Sequence, residues 1–364
     1  MNRIAKCVPG LLLAFAATTA THADTINVPG NYSTIAEAIN SANDGDVILI
    51  APGVYYEHSL STDDKAITIK GTRNSGGILE TTVDALLNGT VFDVSNNAGP
   101  DTVIQDLILT GGTGKNVANF NYGGAIYCGL YASPTITGCN ITGNKAELGG
   151  GIALGYGCNT SIINCTISGN TGTGTSSFGG GIWCDEAANA NMSGCLISGN
   201  TANTAGGLYC VRSNLNIDNC TFTSNTGTNG GGIYCKGPNN ESAITNCTIS
   251  GNTGVGLLCD NSTSTITDCT IEVNSPDNVL LENNSNLIVK STVVTTGGCC
   301  LNGNCIQTTE SDCTTIGGTY AGDDVACGNA NCSLGCSPTD VDQSGQVNID
   351  DLLLVIEDWG TTCP

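Results

Sequence analysis

Six copies of one phrase constrain this 364-residue chain more than any other feature. The copies read ITGCNITGN, IINCTISGN, MSGCLISGN, IDNCTFTSN, ITNCTISGN and ITDCTIEVN, centred on Cys139, Cys165, Cys195, Cys220, Cys247 and Cys269. A second phrase lies between them: GGAIYC, GYGC, GGGIWC, GGLYC, GGIYC and GLLC, ending at Cys128, Cys158, Cys184, Cys210, Cys235 and Cys259. Weaker copies place Leu107 and Ser291 in the first Cys position, so the spacings run 32, 26, 30, 25, 27, 22 and 22. Self-similarity at this period marks stacked units, none of which can bury its apolar face alone. The shortest spacing suits one coil of three short strands and three turns.

The residue pattern within a unit agrees. In ITNCTIS the Ile, Cys and Ile point inward, and the alternation breaks at the residue before Cys. That residue is Gly138, Asn164, Gly194, Asn219, Asn246 or Asp268, all types that tolerate a left-handed backbone. Each phrase closes on Asn144, Asn170, Asn200, Asn225, Asn252 or Asn274, which predicts a stacked side-chain amide ladder. Gly, Thr and Asn in every unit exclude an α-helical solenoid. With a rise of about 4.8 Å per coil, the segment from Leu107 to Ser291 forms a rod of roughly 34 Å.

Upstream, Thr34 and Glu37 form a capping box, and Ile35, Ile39 and Ala42 make one apolar face before Gly45. A short helix there would cover the first open strand edges. The opening INVPGNYSTIAEAINSANDGDVILIAPGVY, followed by GGGIYC-type and NCTISGN-type units, resembles the right-handed parallel β-helix proteins of the pectate-lyase-like superfold. The coils are similar to polymorphic outer-membrane and adhesin-type repeats. The resemblance covers about residues 24–296 and implies a fold that carries lyases, hydrolases, tail spikes and adhesins alike. The expected architecture is all-β: a right-handed single-stranded parallel β-helix with a short N-terminal capping helix, then a Cys-rich module and a short calcium-loop helix. Boundaries fall at 1–23 for a signal peptide, 24–296 for the β-helix, 297–337 for the Cys-rich module and 338–364 for the calcium loop.

Arg3 and Lys6 before an apolar run from Leu11 to Ala17, with small residues up to Ala23, form a secretory signal layout. That run is too short to span a bilayer, and no later stretch reaches the length of a transmembrane helix. Cleavage after Ala23 removes two bases, no acid and one of the 21 Cys, leaving an even number. So many Cys point to an oxidising compartment, hence to a secreted, extracellular or cell-surface protein. A net charge of −22 and a pI near 4.1 exclude nucleic acid as a natural partner.

Six coils hold Cys in both positions, while the flanking coils hold Val94 with Leu107 and Glu282 with Ser291. Both-or-neither points to cross-links within a coil; the alternative is Cys as a small inward hydrophobe duplicated with its unit. Cross-links between stacked coils are awkward, because parallel Cβ vectors stay further apart than a disulfide prefers. From Gly297 onward Cys299, Cys300, Cys305, Cys313, Cys327, Cys332 and Cys336 crowd together, with Cys363 as an eighth partner. They read as a disulfide-stapled module of open connectivity.

Chemistry is sparse in the coils. The NTD, DD, GHG and RIK signatures of β-helix polygalacturonase-like enzymes are missing there, and the only His are His22 and His58. Lyase action on uronates needs cations and a base, and an acidic chain repels polyuronate. Aligning the coils places Asp185, Glu186, Arg212, Lys236 and Asp260 in one turn of successive coils, as a row of acids and bases. The row is either a saccharide-binding or catalytic groove, or inter-coil ion pairing worth about 0–1 kcal/mol per exposed pair. Trp183, Tyr127, Tyr209 and Tyr234 lie beside it on outward positions, either free to stack on sugar rings or packed against turns. The expectation is a structural, adhesive or carbohydrate-contacting role toward a polysaccharide or cell-surface component. The alternative is a polysaccharide lyase or glycoside hydrolase using the charged edge.

Residues 340–351 read DVDQSGQVNIDD. Asp340, Asp342 and Ser344 take positions 1, 3 and 5 of a twelve-residue calcium loop, with Gly345 at the turn. Gln346 supplies its carbonyl at 7, Asn348 stands at 9 and Asp351 at 12. Leu352 to Trp359 reads as a short apolar helix held by the loop. Asp at position 12 makes the segment resemble a dockerin-type repeat. A full dockerin carries two loops and only one is found here, which leaves a cohesin-like or other surface-anchoring partner open.

Overall fold

In a computed structural model of the chain, residues 23–94, 97–238 and 240–290 are described in full, together with the backbone of strands at 293–294, 297–301, 304–308 and 319–323. The expected signal segment up to residue 22 and the expected calcium loop at 340–351 lie outside the described residues, as do the side chains of the expected Cys-rich module.

Three parallel sheets of 11, 10 and 9 strands run side by side along the chain. The first sheet begins at Thr25–Val28 and ends at Asn286–Lys290, and the second runs from Gly53–Tyr55 to Val293–Val294. The third runs from Leu60–Ser61 to Val279–Glu282. Each coil visits the three in turn and pairs with the equivalent strands of the next coil, as Thr166–Ser168 does with Leu196–Ser198.

Local backbone chemistry makes the corners. At the first corner, Asp106, Gly138, Asn164, Gly194, Asn219, Asn246 and Asp268 all have φ between 51° and 63°, as the broken alternation predicts. The Cys that follows turns back into the core. At the second corner a left-handed residue precedes each ladder Asn, as Gly169 (φ 62°) precedes Asn170. Every ladder Asn is buried. Each donates its side-chain amide to the Oδ1 of the next, as Asn170 does to Asn200 at 3.0 Å and Asn200 to Asn225 at 3.0 Å. The same oxygen takes the backbone N–H, and the second amide hydrogen goes to a carbonyl of the preceding coil, such as Ile141 for Asn170. Gly112 N–H caps one end of the ladder on Asn144, and Asn278 Oδ1 closes the other on Asn274.

Between the sheets, apolar columns fill the core. Ile136, Ile162, Met192, Ile217, Ile244 and Ile266 line the first sheet; Ile141, Ile167, Ile197, Phe222, Ile249 and Ile271 line the second. All are buried, each worth about 1.5–3 kcal/mol relative to exposure. The helix Ile35–Ser41 packs on the first strands, with Ile35, Ala38 and Ile39 buried. Its predicted capping box is present. The Glu57 carboxylate takes the N–H groups of Ile35 and Ala36 at 2.8 and 2.9 Å, while Lys65 Nζ donates to the carbonyls of Ile39 and Asn40 at the other end. These charges oppose the helix dipole correctly.

Three cysteine expectations need correction. The twelve coil Cys are buried free thiols, not pairs cross-linked within a coil. Their sulfur neighbours belong to the coils above and below: Cys165 touches Cys139 and Cys195, and Cys235 touches Cys210. Backbone N–H groups also point along the stack, from Cys195 to Cys220 Sγ and from Cys220 to Cys247 Sγ. Cys158 does not share the column of Cys128 and Cys184, because Leu154 is the residue in register with both. Cys158 lies in the following turn, its thiol donating to the Gly129 carbonyl at 2.8 Å. At the far end Leu281, not Glu282, stands opposite Cys259. Parallel pairing stops at Val294, and Gly297–Leu301 pairs antiparallel with Asn304–Thr308 and Thr319–Asp323.

Candidate functional site

The third sheet ends where each coil turns back to the first, and this third corner carries the predicted charged row. The structure brings the five residues together, in two adjacent columns. Lys236 pairs in register with Asp260, and Asp260 with Glu282, on the outward face of the strand ends. Asp185 leaves the strand Ile182–Cys184 at the equivalent point, while Glu186 and Arg212 lie one residue further into the turn. Backbone hydrogen bonds make the corner continuous, running Tyr131 to Tyr156, Gly157 to Glu186, Ala187 to Arg212, Arg212 to Lys236 and Gly237 to Asp260.

The charges are partnered. Arg212 Nη1 contacts Glu186 Oε1 on the exposed rim. Lys236 Nζ lies 3.1 Å from Asp260 Oδ2, which also accepts from Tyr234 OH at 3.1 Å. Asn283 donates to the other oxygen at 2.6 Å. Burial alone would raise the Asp260 carboxyl, but donors from Asn283, Lys236 and Tyr234 outweigh it and hold it below the usual carboxylate range. Asp185 differs. Burial, with the charge of Glu186 added, pushes its carboxyl above that range.

The outward aromatics are stacked but covered. Tyr127, Ala153, Trp183, Tyr209, Tyr234 and Leu258 follow one another in strict register. Trp183 is only 6% exposed, and Tyr209 and Tyr234 are buried as well. Segments following the Asn ladder fold over this face, bringing Leu148, Phe178 and Ala205 onto the rings. The Phe178 and Tyr209 ring centroids are 5.0 Å apart. Tyr122 fills the gap above Ala153, edge-on to Tyr127 at 5.8 Å and to Trp183 at 5.3 Å. Burial pushes the Tyr127 and Tyr209 hydroxyls up to about 12. The reading of these four as a sugar-stacking platform is therefore corrected: they form a second apolar cluster.

Two aromatics that sequence reasoning passed over are open. Tyr131 and Tyr156, 54% and 42% exposed, occupy the same third corner on adjacent coils. Their rings are perpendicular with centroids 5.7 Å apart. Tyr131 lies outside the repeat phrases and Tyr156 is the ring of GYGC, which the register moves from the strand into the turn, so only their position in the turn could have signalled them.

Among the described residues no group of three or more His, Cys, Asp or Glu is placed to hold a metal ion. The six predicted calcium ligands, Asp340, Asp342, Ser344, Gln346, Asn348 and Asp351, lie outside those residues. No described helix is long and apolar enough to cross a membrane.

The sequence matches the family described as right handed beta helix region over residues 65–228 and again over 180–337, well over half of the chain. The chain belongs to the right-handed β-helix family. Among solved structures, this β-helix protein is similar to pectate lyase Pel9A at 15% identity, covering 74% of this chain and 78% of that one with a TM-score of 0.42. A pectin methylesterase from Aspergillus niger matches at 15% identity over 75% and 85% of the two chains, with a TM-score of 0.35. An alginate lyase from Paenibacillus sp. str. FPU-7 matches at 15% over 72% and 99%, with a TM-score of 0.34. Likeness at this level bears no argument about substrate or reaction. No curated protein matches the sequence.

Proposed function

We propose that this β-helix protein is secreted and has a structural, adhesive or carbohydrate-contacting role at or outside the cell surface. The observation that supports contact over turnover is the pairing of both cations of the charged edge. Arg212 and Lys236 are already neutralised by Glu186 and Asp260, whereas lyase action on a uronate needs a cation available to the substrate carboxylate. The Asn ladder and continuous apolar columns supply a stiff support on which a surface can be held in fixed geometry.

In this reading residues 1–23 direct export, 24–296 form the rod and 297–337 form a disulfide-stapled module. Residues 338–364 bind Ca²⁺ through Asp340, Asp342, Ser344, Asn348, Asp351 and the Gln346 carbonyl, an all-oxygen donor set that suits a hard cation. Such a tail would serve surface attachment.

One observation favours the second reading, a polysaccharide lyase or glycoside hydrolase. Asp185 stands at the edge itself with its carboxyl raised by burial, the direction of shift that suits a general acid. Incubating the purified protein with a panel of polysaccharides separates the two. Retention on a glycan without reducing-end or unsaturated product is the expected result. Product release that disappears in Asp185→Asn would establish the enzyme instead.

A further inference from the structure

We propose that the third corner, from Tyr131 to Lys236, is a binding edge for a neutral polysaccharide chain lying along the rod axis; this deepens the carbohydrate-contacting reading and rests on it. Successive coils place Tyr131, Tyr156, Glu186, Arg212 and Lys236 along one hydrogen-bonded corner, in neighbouring register positions of the turn, and the step from coil to coil is the inter-strand spacing of about 4.8 Å. Two exposed rings at right angles offer a sugar one aromatic face and one aromatic edge. The neighbouring Arg212–Glu186 pair then provides donors and acceptors for hydroxyl groups.

Side-chain seating at this corner supports the assignment. Tyr131 (φ 59°) and Arg212 (φ 47°) hold the left-handed conformation that Gly157, Gly237 and Asn261 adopt at the same corner of other coils. Each large side chain lies over a bare glycine of a nearby coil. A Cβ on Gly157 would come within 2.5 Å of the Tyr131 ring, and one on Gly237 within 2.8 Å of Arg212 Cγ. Strained positions that carry a ring and a guanidinium are where function is sought first. The ring and guanidinium are thereby laid along the edge instead of projecting freely into solvent.

Charge selects the ligand class. Asp185, Glu186, Asp260 and Glu282 outnumber Arg212 and Lys236 on this edge, and the whole chain carries −22. A polyuronate is repelled, and hydroxyl-rich neutral chains are not.

The test is affinity electrophoresis of the full-length protein through gels containing a soluble neutral β-glucan, a neutral galactomannan, or polygalacturonate. The expected result is retardation by a neutral polymer, weakened at least tenfold in Tyr131→Gly and in Tyr156→Ala and unchanged in Tyr56→Ala, which removes an exposed ring near the N-terminal end of the described chain, away from this edge. Tyr131→Gly relieves a left-handed residue, so it should keep or raise thermal stability while losing retardation, a combination that misfolding cannot produce. Retardation that survives both edge substitutions would overturn this site and leave the broader carbohydrate reading standing. Retardation by polygalacturonate alone would overturn the neutral-ligand assignment. No retardation by any of the three polymers would overturn the edge, and the broader reading would then be decided by the polysaccharide panel.

Discussion

Asn225 donates its side-chain amide to Asn252 Oδ1 at 3.0 Å, and its own backbone N–H reaches the same oxygen at 2.9 Å. The oxygen of Asn225 in turn receives both donors of Asn200. In Asn225→Ala those two buried donors lose their acceptor, at about 1–3 kcal/mol each. A loss of about 2–5 kcal/mol in guanidinium unfolding is therefore expected. A change below about 1 kcal/mol would mean that water or backbone shifts replace the ladder.

Val273 is a β-branched residue at φ 55° on the second corner, where Gly143, Gly169, Gly199 and Gly251 stand in other coils. Left-handed backbone costs such a residue about 1–2 kcal/mol, against about 0.5–1 kcal/mol of extra chain entropy for Gly. Val273→Gly should stabilise the protein by about 1 kcal/mol, and Gly251→Val should destabilise it. Equal signs for the two in thermal melts would refute the account.

Burial pushes the Cys158 and Cys259 thiols up to about 12 and raises Cys184 as well. Their protonated form is favoured by folding, so this contribution is intact below the unfolded thiol value near 8.5 and fades as pH rises toward 12, at about 1.4 kcal/mol per unit per thiol. Alkylation at pH 8 should leave the twelve coil thiols untouched in the native protein and modify all twelve after unreduced unfolding. Peptide mapping showing coil cystines instead would reinstate cross-linking.

Calcium binding is expected from the full-length protein at micromolar to millimolar concentration, and Asp340→Ala should abolish it. Isothermal titration calorimetry is the measurement. Identical heats from the wild type and the variant would remove the loop.

Much of the coil was legible because it is encoded locally. Asn, Gly or Asp before the Cys of each first phrase specifies a left-handed corner from one residue's own sterics, as Asn164 and Gly194 show at 51° and 63°. The amide ladder follows once an Asn recurs at the same place in every coil, and the capping box needs only Thr34 and Glu37. The charged edge was legible as a row of residues, but whether its members meet was not. Contact between Arg212 and Glu186 depends on side chains from different coils.

The sequence by itself determined the period, the inward positions, the three corners and the chemical types on the edge, since each can be read within a single unit once the units are aligned. Only the tertiary structure decided which sulfur stands over which. GYGC looks like its sister phrases, yet Leu154 takes the column and Cys158 moves into the turn, because strand pairing with the neighbouring coils sets the register. It also decided which rings are covered. The repeat spacings differ through insertions, and the extra residues around Leu148 and Phe178 fold back over Trp183 and Tyr209. Among the described residues no segment does so at the third corner. Tyr131 and Tyr156 therefore stay open: exposure of a ring depends on what neighbouring coils lay across it, which no single repeat contains.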